Sequence, residues 1–305
     1  MQNAKRLAAV DLGSNSFRLE LGTAANGQFF RSNYFKETIR QGGGLDEQSR
    51  LKPRVMQQGW ECLARFGQLL VQFEPHEVLA VATQTLREAQ NRDDFLILGS
   101  HLLGFPICVI SGEEEARLIY QGVVQSLPDN DQRRLVLDIG GRSTEFIVGQ
   151  GSHPIHMRSY AVGSIAWSMR YFPDQVFTTE AFSEAQEAAR SVLQEAAQFF
   201  QSHPSQLVYG SAGTINAVVD VLSAAGWPNG SITRASINWL RSQLLAAKDQ
   251  QHLFLPGMRD DRKPIIGGGL SVVSAVFDVL GVEHIQQSNG GLRHGLLQDM
   301  MQRIA

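Results

Sequence analysis

Two stretches of this chain share one pattern, and that pattern limits the folds open to it. Ala8-Ala9-Val10-Asp11-Leu12-Gly13-Ser14 and Leu135-Val136-Leu137-Asp138-Ile139-Gly140-Gly141 each run from an apolar strand into Asp-x-Gly, then small residues, then a second strand. A repeat of this kind suggests a duplicated, strand-rich core whose two copies face one another across a cleft. The length agrees, since 305 residues make about two domains at ~150 residues each. That is enough chain to bury cores without disulfides or metals.

The rest of the pattern alternates strand and helix. Residues 5–10, 17–23 and 29–36 read as strands, with Asn26-Gly27 as a hairpin turn. Residues 41–45 read as a flexible loop. Met56, Trp60, Leu63, Phe66, Leu70 and Phe73 recur at helical spacing over 52–73. Residues 77–82 form a strand leading into a Thr83-Gln84-Thr85-Leu86-Arg87 loop, 95–103 a helix, and 107–110 a strand. Ser111 and Glu114 stand at the spacing of a capping box, opening a helix to about Leu127. The polar break Pro128-Asp129-Asn130-Asp131 marks the boundary between domains 1–128 and 129–305. Beyond it, 134–137, 146–149 and 207–209 read as strands, and 179–200, 270–280 and 292–301 as helices.

Composition removes several classes of function. With 27 Lys+Arg against 30 Asp+Glu the formal net charge is -3, which gives no general footprint for nucleic acid or an anionic membrane. A polyanion would need a locally basic groove. Cys62 and Cys108 are too few for a disulfide framework or a zinc cluster. Both lie in apolar stretches and read as buried thiols of a reducing cytoplasm. The eight histidines lack metal-ligand spacing. The N-terminal apolar run is too short for a signal peptide. No uninterrupted apolar stretch approaches the ~18 residues of a transmembrane helix. The expectation is a soluble cytoplasmic protein.

Three segments have the chemistry of phosphate loops: Gly13-Ser14-Asn15-Ser16, Gly140-Gly141-Arg142-Ser143-Thr144 and Gly210-Ser211-Ala212-Gly213-Thr214. Phosphate is bound by backbone N–H groups, small side chains and hydroxyl donors, and each segment follows an apolar strand. Neither G-x-G-x-x-G nor a Walker A pattern occurs, so the Rossmann and P-loop readings lose their support. Asp11 and Asp138 end strands, where they either hold Mg²⁺ or cap turns. Glu145 lies seven residues after Asp138, but the turn between them leaves their relative facing open. Glu113, Glu114 and Glu115 open a helix, and the first two read as complements to its dipole. Taken alone, Arg87 reads as a solvated surface arginine. So do Arg259, Arg262 and Lys263, which follow Pro256-Gly257.

In order along the chain, AVDLGSNSFRL, ATQTLREA, ISGEEEARLIYQGV, LVLDIGGRSTEFIVG, YGSAGTINAV, LPGMRDDR and GGLRHGLL resemble the exopolyphosphatase/guanosine pentaphosphate phosphohydrolase family. The resemblance implies an α/β protein of the actin-like ATPase superfamily, with two RNase-H-like domains flanking a cleft. It also implies the short two-domain form, with the last helix packing back on the first domain. It makes Glu115 the general base, and Arg87 and Arg262 phosphate-contacting arginines. Ser14, Asn15, Ser16, Gly140, Gly141, Ser143, Gly213 and Thr214 become phosphate-binding residues, with Asp138 and Glu145 in the Mg²⁺ region.

The implied activity is Mg²⁺-assisted release of terminal phosphate from polyphosphate. Guanosine pentaphosphate is the alternative substrate, and an alarmone-sensing module with little turnover the alternative class. A kinase-like transferase fits less well, because Glu115 suits a water better than a bulky acceptor. Arg31, Lys36, Arg40, Arg50, Lys52 and Arg54 are candidates for a polyanion channel. No nucleic acid or membrane partner is expected, and a homodimer is left open. Two residues depart from the family pattern. Arg142 stands for a glycine, implying either strain that closes the loop or an added phosphate contact. His294 stands for a glutamate.

Overall fold

Leu7, Ala8, Ala9 and Val10 are all completely buried, so strand β1 (Lys5–Leu12) has no solvent face. A strand apolar on both sides belongs inside a covered sheet. In the computed structural model, which describes residues 4–128, 131–202, 207–228 and 230–304, β1 is the middle strand of five. It pairs antiparallel with β2 (Ser16–Ala25), which pairs antiparallel with β3 (Gln28–Thr38). On its other side β4 (Glu77–Ala82) and then β5 (Ile107–Val109) run parallel to it. The sheet order is β3-β2-β1-β4-β5. Asn26 and Gly27 both have positive φ, 51° and 73°, as a two-residue turn matched to strand twist requires.

Helices α1 (Pro53–Phe73), α2 (Gln84–Glu88), α3 (Arg92–Leu103) and α4 (Gly112–Val124) complete the first stretch. The apolar stripe of α1 buries Met56, Leu63, Phe66 and Leu70, and Trp60 stacks on Phe95 of α3 at 5.9 Å between ring centroids.

The second unit repeats this plan. Its central strand β6 (Arg133–Ile139) pairs antiparallel with β7 (Thr144–Gln150), which pairs antiparallel with β8 (His153–Tyr160). Strand β9 (Leu207–Ser211) runs parallel to β6, and β11 (His284–Gln287) parallel to β9. The order β8-β7-β6-β9-β11 matches β3-β2-β1-β4-β5 strand for strand and direction for direction, and short β10 (Ser231–Thr233) adds an outer edge. The two Asp-x-Gly stretches are therefore the ends of equivalent central strands. This duplicated RNase-H-like topology is the fold of the actin-like ATPase superfamily.

Helices α5 (Ser164–Tyr171), α6 (Thr179–Ser202), α7 (Ala212–Ala224), α8 (Arg234–Ala247) and α9 (Ile266–Leu280) belong to this unit. Residues Lys263–Leu280 are long and apolar enough to cross a bilayer, but 78% of that stretch is buried inside the protein. Together with α6, α9 forms the helical side of the core.

The chain divides into Met1–Gly122 with Leu292–Ala305, and Val123–Gly291. The boundary thus falls before the expected 128/129 break, of which Asp129 and Asn130 lie outside the described residues. Helix α10 (Leu292–Ile304) is part of the first unit, with Leu292, Leu296, Leu297 and Met300 buried.

Several expectations need correction. Gln84–Glu88 forms a short helix with Thr83 at its N-cap, so the expected Thr83–Arg87 loop is helical from Gln84 on. Gln41–Gly43 is a 3-10 turn with Gln41 and Gly42 buried, not a flexible loop. Cys62 is buried but Cys108 is exposed, because the alternation of edge strand β5 turns Ile107 inward and Cys108 outward.

Candidate active site

In the first unit the candidate residues begin at the β1–β2 turn. Ser14, Asn15 and Ser16 are buried there, and their neighbours hold the turn's shape. The Ser14 carbonyl accepts from Gly42 N–H at 2.7 Å, and the Asn15 carbonyl from Ile39 and Arg40 N–H at 3.0 and 2.9 Å. Thr85 Oγ1 donates to Ser14 Oγ at 2.8 Å, and Asn15 Nδ2 to Ser16 Oγ at 3.2 Å. Asn15 Oδ1 and both amide atoms of Gln41 are buried with no partner in the protein. Such groups cost about 1–3 kcal/mol each unless a ligand or water meets them. Sequence reasoning passed over Gln41 and Thr85. Gln41 carried a signal, as the one long polar side chain in Gln41-Gly42-Gly43-Gly44.

Asp11 lies opposite Arg18 in the β1–β2 register and accepts from its Nη1 at 2.7 Å. That ion pair makes it a structural anchor of the turn.

Arg87 and Glu115, 28 positions apart, are brought together. The turn of α2 lifts Arg87 toward the start of α4, and its Nη1 donates to Glu115 Oε2 at 2.7 Å and to the Ile110 carbonyl at 2.9 Å. Its Nε and Nη2 donate to Gln84 Oε1 at 3.0 and 2.7 Å. Arg87 is thus a clamped, largely covered residue, not a solvated surface arginine. Glu115 is 7% exposed in the first turn of α4. The capping box there is half formed. Glu114 N–H donates to Ser111 Oγ at 3.1 Å, while the Glu114 carboxylate accepts from Arg117 instead of closing the box.

In the second unit the β6–β7 turn carries Gly140, Gly141, Arg142 and Ser143. Gly140 N–H donates to the Ser143 carbonyl at 2.9 Å. The carbonyls of Gly140 and Gly141 accept from the first N–H groups of α5, at residues 164–166. A Cβ on Gly163 would lie 2.5 Å from Arg142 N and Gly141 C, so only glycine allows this approach. Arg142 itself is absent from the positive-φ residues. The left-handed strain expected of an arginine there does not arise, because its φ is not positive.

Asp138 and Glu145 are direct partners in the β6–β7 register, so both carboxylates stand on one face of the sheet. The turn does not spoil their alignment. Ser159 Oγ from β8 donates to Glu145 Oε1 at 2.7 Å. The contrast with β1–β2 is chemical: Asp11 faces an arginine, whereas Asp138 faces a second buried acid. One or two carboxylates are the protein donors that Mg²⁺ commonly uses, with water and phosphate completing its shell, so this pair fits that ion. Among the described residues no cluster of three or more His, Cys, Asp or Glu could hold a metal.

The third loop follows β9. Ser211 Oγ donates to the Gly290 carbonyl at 2.9 Å, and Ala212 opens α7 with φ 68°. A Cβ on Gly213 would collide with the Arg262 guanidinium, so the missing side chain is the space Arg262 occupies. Of the three basic residues in this region, Arg259 pairs with Asp261 and Lys263 with Asp260, both at 2.9 Å. Arg262 also approaches Asp261, at 3.8 Å, and is the buried one, 7% exposed, beside Gly213 and the buried Thr214.

His294, the other departure, lies on α10 with Nδ1 buried and unpartnered. Burial holds its pKa below the ordinary value of 6.5; Arg293 and Arg31 push the same way, against Glu20.

The comparisons agree with this topology. A crystal structure of the Ppx/GppA family member from Aquifex aeolicus is similar at 23% identity, covers 99% of each chain and has a TM-score of 0.80. An exopolyphosphatase from Cytophaga hutchinsonii is similar at 21% identity, covers 98% of each and has a TM-score of 0.86. An exopolyphosphatase-like protein at 21% identity covers 99% of each, with a TM-score of 0.88. At these identities the likeness establishes the fold. The family model for Ppx/GppA phosphatases matches residues 31–304, and with nearly the whole chain matched, this protein belongs to the Ppx/GppA phosphatase family.

Proposed function

We propose that this protein hydrolyses the terminal phosphoanhydride bond of inorganic polyphosphate, with Glu115 as general base. The observation that carries this reading is the buried Glu115 carboxylate held at 2.7 Å by Arg87. A fixed carboxylate beside a fixed guanidinium can take a proton from water while the cation faces phosphate charge.

In the proposed reaction the water oxygen attacks the terminal phosphorus and its proton passes to Glu115. The bridging P–O bond breaks, and the shortened chain leaves with the bridging oxygen. Arg87 retains an Nη2 proton beyond its bonds to Gln84, Ile110 and Glu115, available to a phosphate oxygen. The Ser14–Ser16 turn, with Gly140, Gly141, Ser143, Gly213 and Thr214, supplies backbone N–H and hydroxyl donors. Arg262 adds a second guanidinium. Asp138 and Glu145 would hold Mg²⁺, which neutralises phosphate oxygens when bound. Catalysis of this kind rests on positioning and electrostatics rather than covalent chemistry.

The test is phosphate release from long-chain polyphosphate, guanosine pentaphosphate and ATP, side by side with and without Mg²⁺. Highest kcat/KM on polyphosphate supports the proposal. Highest kcat/KM on guanosine pentaphosphate replaces the substrate but keeps the chemistry. Binding of guanosine nucleotides with no release from any of the three overturns the hydrolase reading in favour of a sensing module.

A further inference from the structure

We infer that α10 holds the start of α4 in its working position, with Arg117 and Asp299 as positioning residues for Glu115. The inference rests on the reading of Glu115 as the base. Residues 115 and 117 lie two apart on one helix, so their side chains leave it in nearly opposite directions. Glu115 is gripped by Arg87; Arg117 is gripped on the far side. Arg117 Nε and Nη2 each donate to the Glu114 carboxylate at 2.8 Å. Nη1 and Nη2 donate to the two oxygens of Asp299 on α10, at 3.3 and 2.8 Å, and Nη1 also to Gln121 Oε1 at 2.9 Å. These bonds use all five N–H groups of the guanidinium.

The acidic partner Glu114 is the residue that would otherwise close the capping box. Its recruitment ties the first turn of α4 to α10 through one arginine. Arg303 adds a looser approach to Asp299 at 3.9 Å and to Glu77 of β4 at 3.5 Å.

A second feature supports the same contact. Gly295 of α10 lies against the Leu118 carbonyl so closely that a Cβ there would overlap it. The two helix backbones are in direct contact one turn from Glu115, leaving α4 no room to move toward α10. Arg117–Asp299 prevents movement away. A general base tolerates little displacement, and a 1 Å misplacement from a distant change can cost about 10²-fold in rate.

The test measures phosphate release from long-chain polyphosphate with Mg²⁺, thermal stability and amide hydrogen exchange. Asp299→Ala should lower kcat at least tenfold with KM within twofold, and Asp299→Asn should recover part of the loss. In a Glu115→Gln background, adding Asp299→Ala should change kcat less than twofold, because the positioned group is already gone. Gly295→Ala, which pushes the helices apart, should lower kcat in the same way. Wild-type kcat in Asp299→Ala, or a full multiplicative loss in the double variant, overturns the positioning role. Wild-type kcat in Glu115→Gln overturns instead the base reading on which it rests. Hydrogen exchange reads the clamp without turnover: protection in the first turn of α4 should fall in Asp299→Ala and Gly295→Ala. Unchanged protection there refutes the clamp itself.

Discussion

Ala212 is the non-glycine residue with positive φ at the opening of a site helix, and replacing it by glycine should stabilise the protein. Its φ of 68° places it in the left-handed region between β9 and α7. For an L-residue that conformation costs roughly 1–2 kcal/mol. Ala212→Gly removes this cost but adds backbone freedom to the unfolded chain, an opposing effect of about 0.4–1 kcal/mol. The balance is a net gain of about 0.5–1 kcal/mol. For a unit the size of Val123–Gly291, each 1 kcal/mol moves Tm by roughly 2–4 °C, so the expected rise is about 1–4 °C. Differential scanning calorimetry reads this directly. Ala212→Val should move the other way, since a β-branched side chain tolerates positive φ least. A lower Tm for Ala212→Gly, or no loss for Ala212→Val, would refute the strain argument. A strained residue in a candidate phosphate loop also fits the tendency of strain to gather at functional sites.

Gly213→Ala should displace the Arg262 guanidinium and lower kcat/KM for phosphate release at least tenfold, with Tm falling only a few degrees; unchanged kinetics would remove Arg262 from the site. Arg142→Gly should lower stability by about 0.4–1 kcal/mol in denaturant titration, because its backbone has no strain to relieve; a gain would show strain after all. His294 has a folded-state pKa below the unfolded value of 6.5, so the unfolded chain binds the extra proton. Its contribution is present in full above that value and lost as pH falls below it toward the folded pKa. Tm should therefore fall more steeply from pH 7 to pH 5 in the wild type than in His294→Gln, and parallel profiles would contradict this.

The fold was legible where burial made periodicity strong. β4 was readable to the residue because apolar residues fill 78–82, and the echo between Ala8–Ser14 and Leu135–Gly141 pointed to the duplicated topology. Strands β8, β10 and β11 and helices α5 and α8 escaped notice. β8 mixes exposed and half-buried residues, with only Tyr160 buried and two histidines and an arginine among them, and β10 and β11 are three and four residues long. Arg87 with Glu115 in the first unit, and Arg262 with Gly213 in the second, could be proposed from motifs. Their contacts depend on α2 and on the approach of the Arg262 loop, which no local pattern encodes. The facing of Asp138 and Glu145 is a register property. The turn between them hid it from residue counting, and the ladder of β6 and β7 fixes it.

The central claim is that Glu115 takes the proton from the attacking water. Its most direct test is steady-state phosphate release from long-chain polyphosphate, with Mg²⁺, by wild type and Glu115→Gln. The Gln variant keeps the shape and a hydrogen-bond acceptor for Arg87 but removes the base. Loss of a general base is worth about 10²–10⁴-fold in rate, so kcat should fall by that factor while KM stays within about twofold. Wild-type kcat in Glu115→Gln would contradict the account.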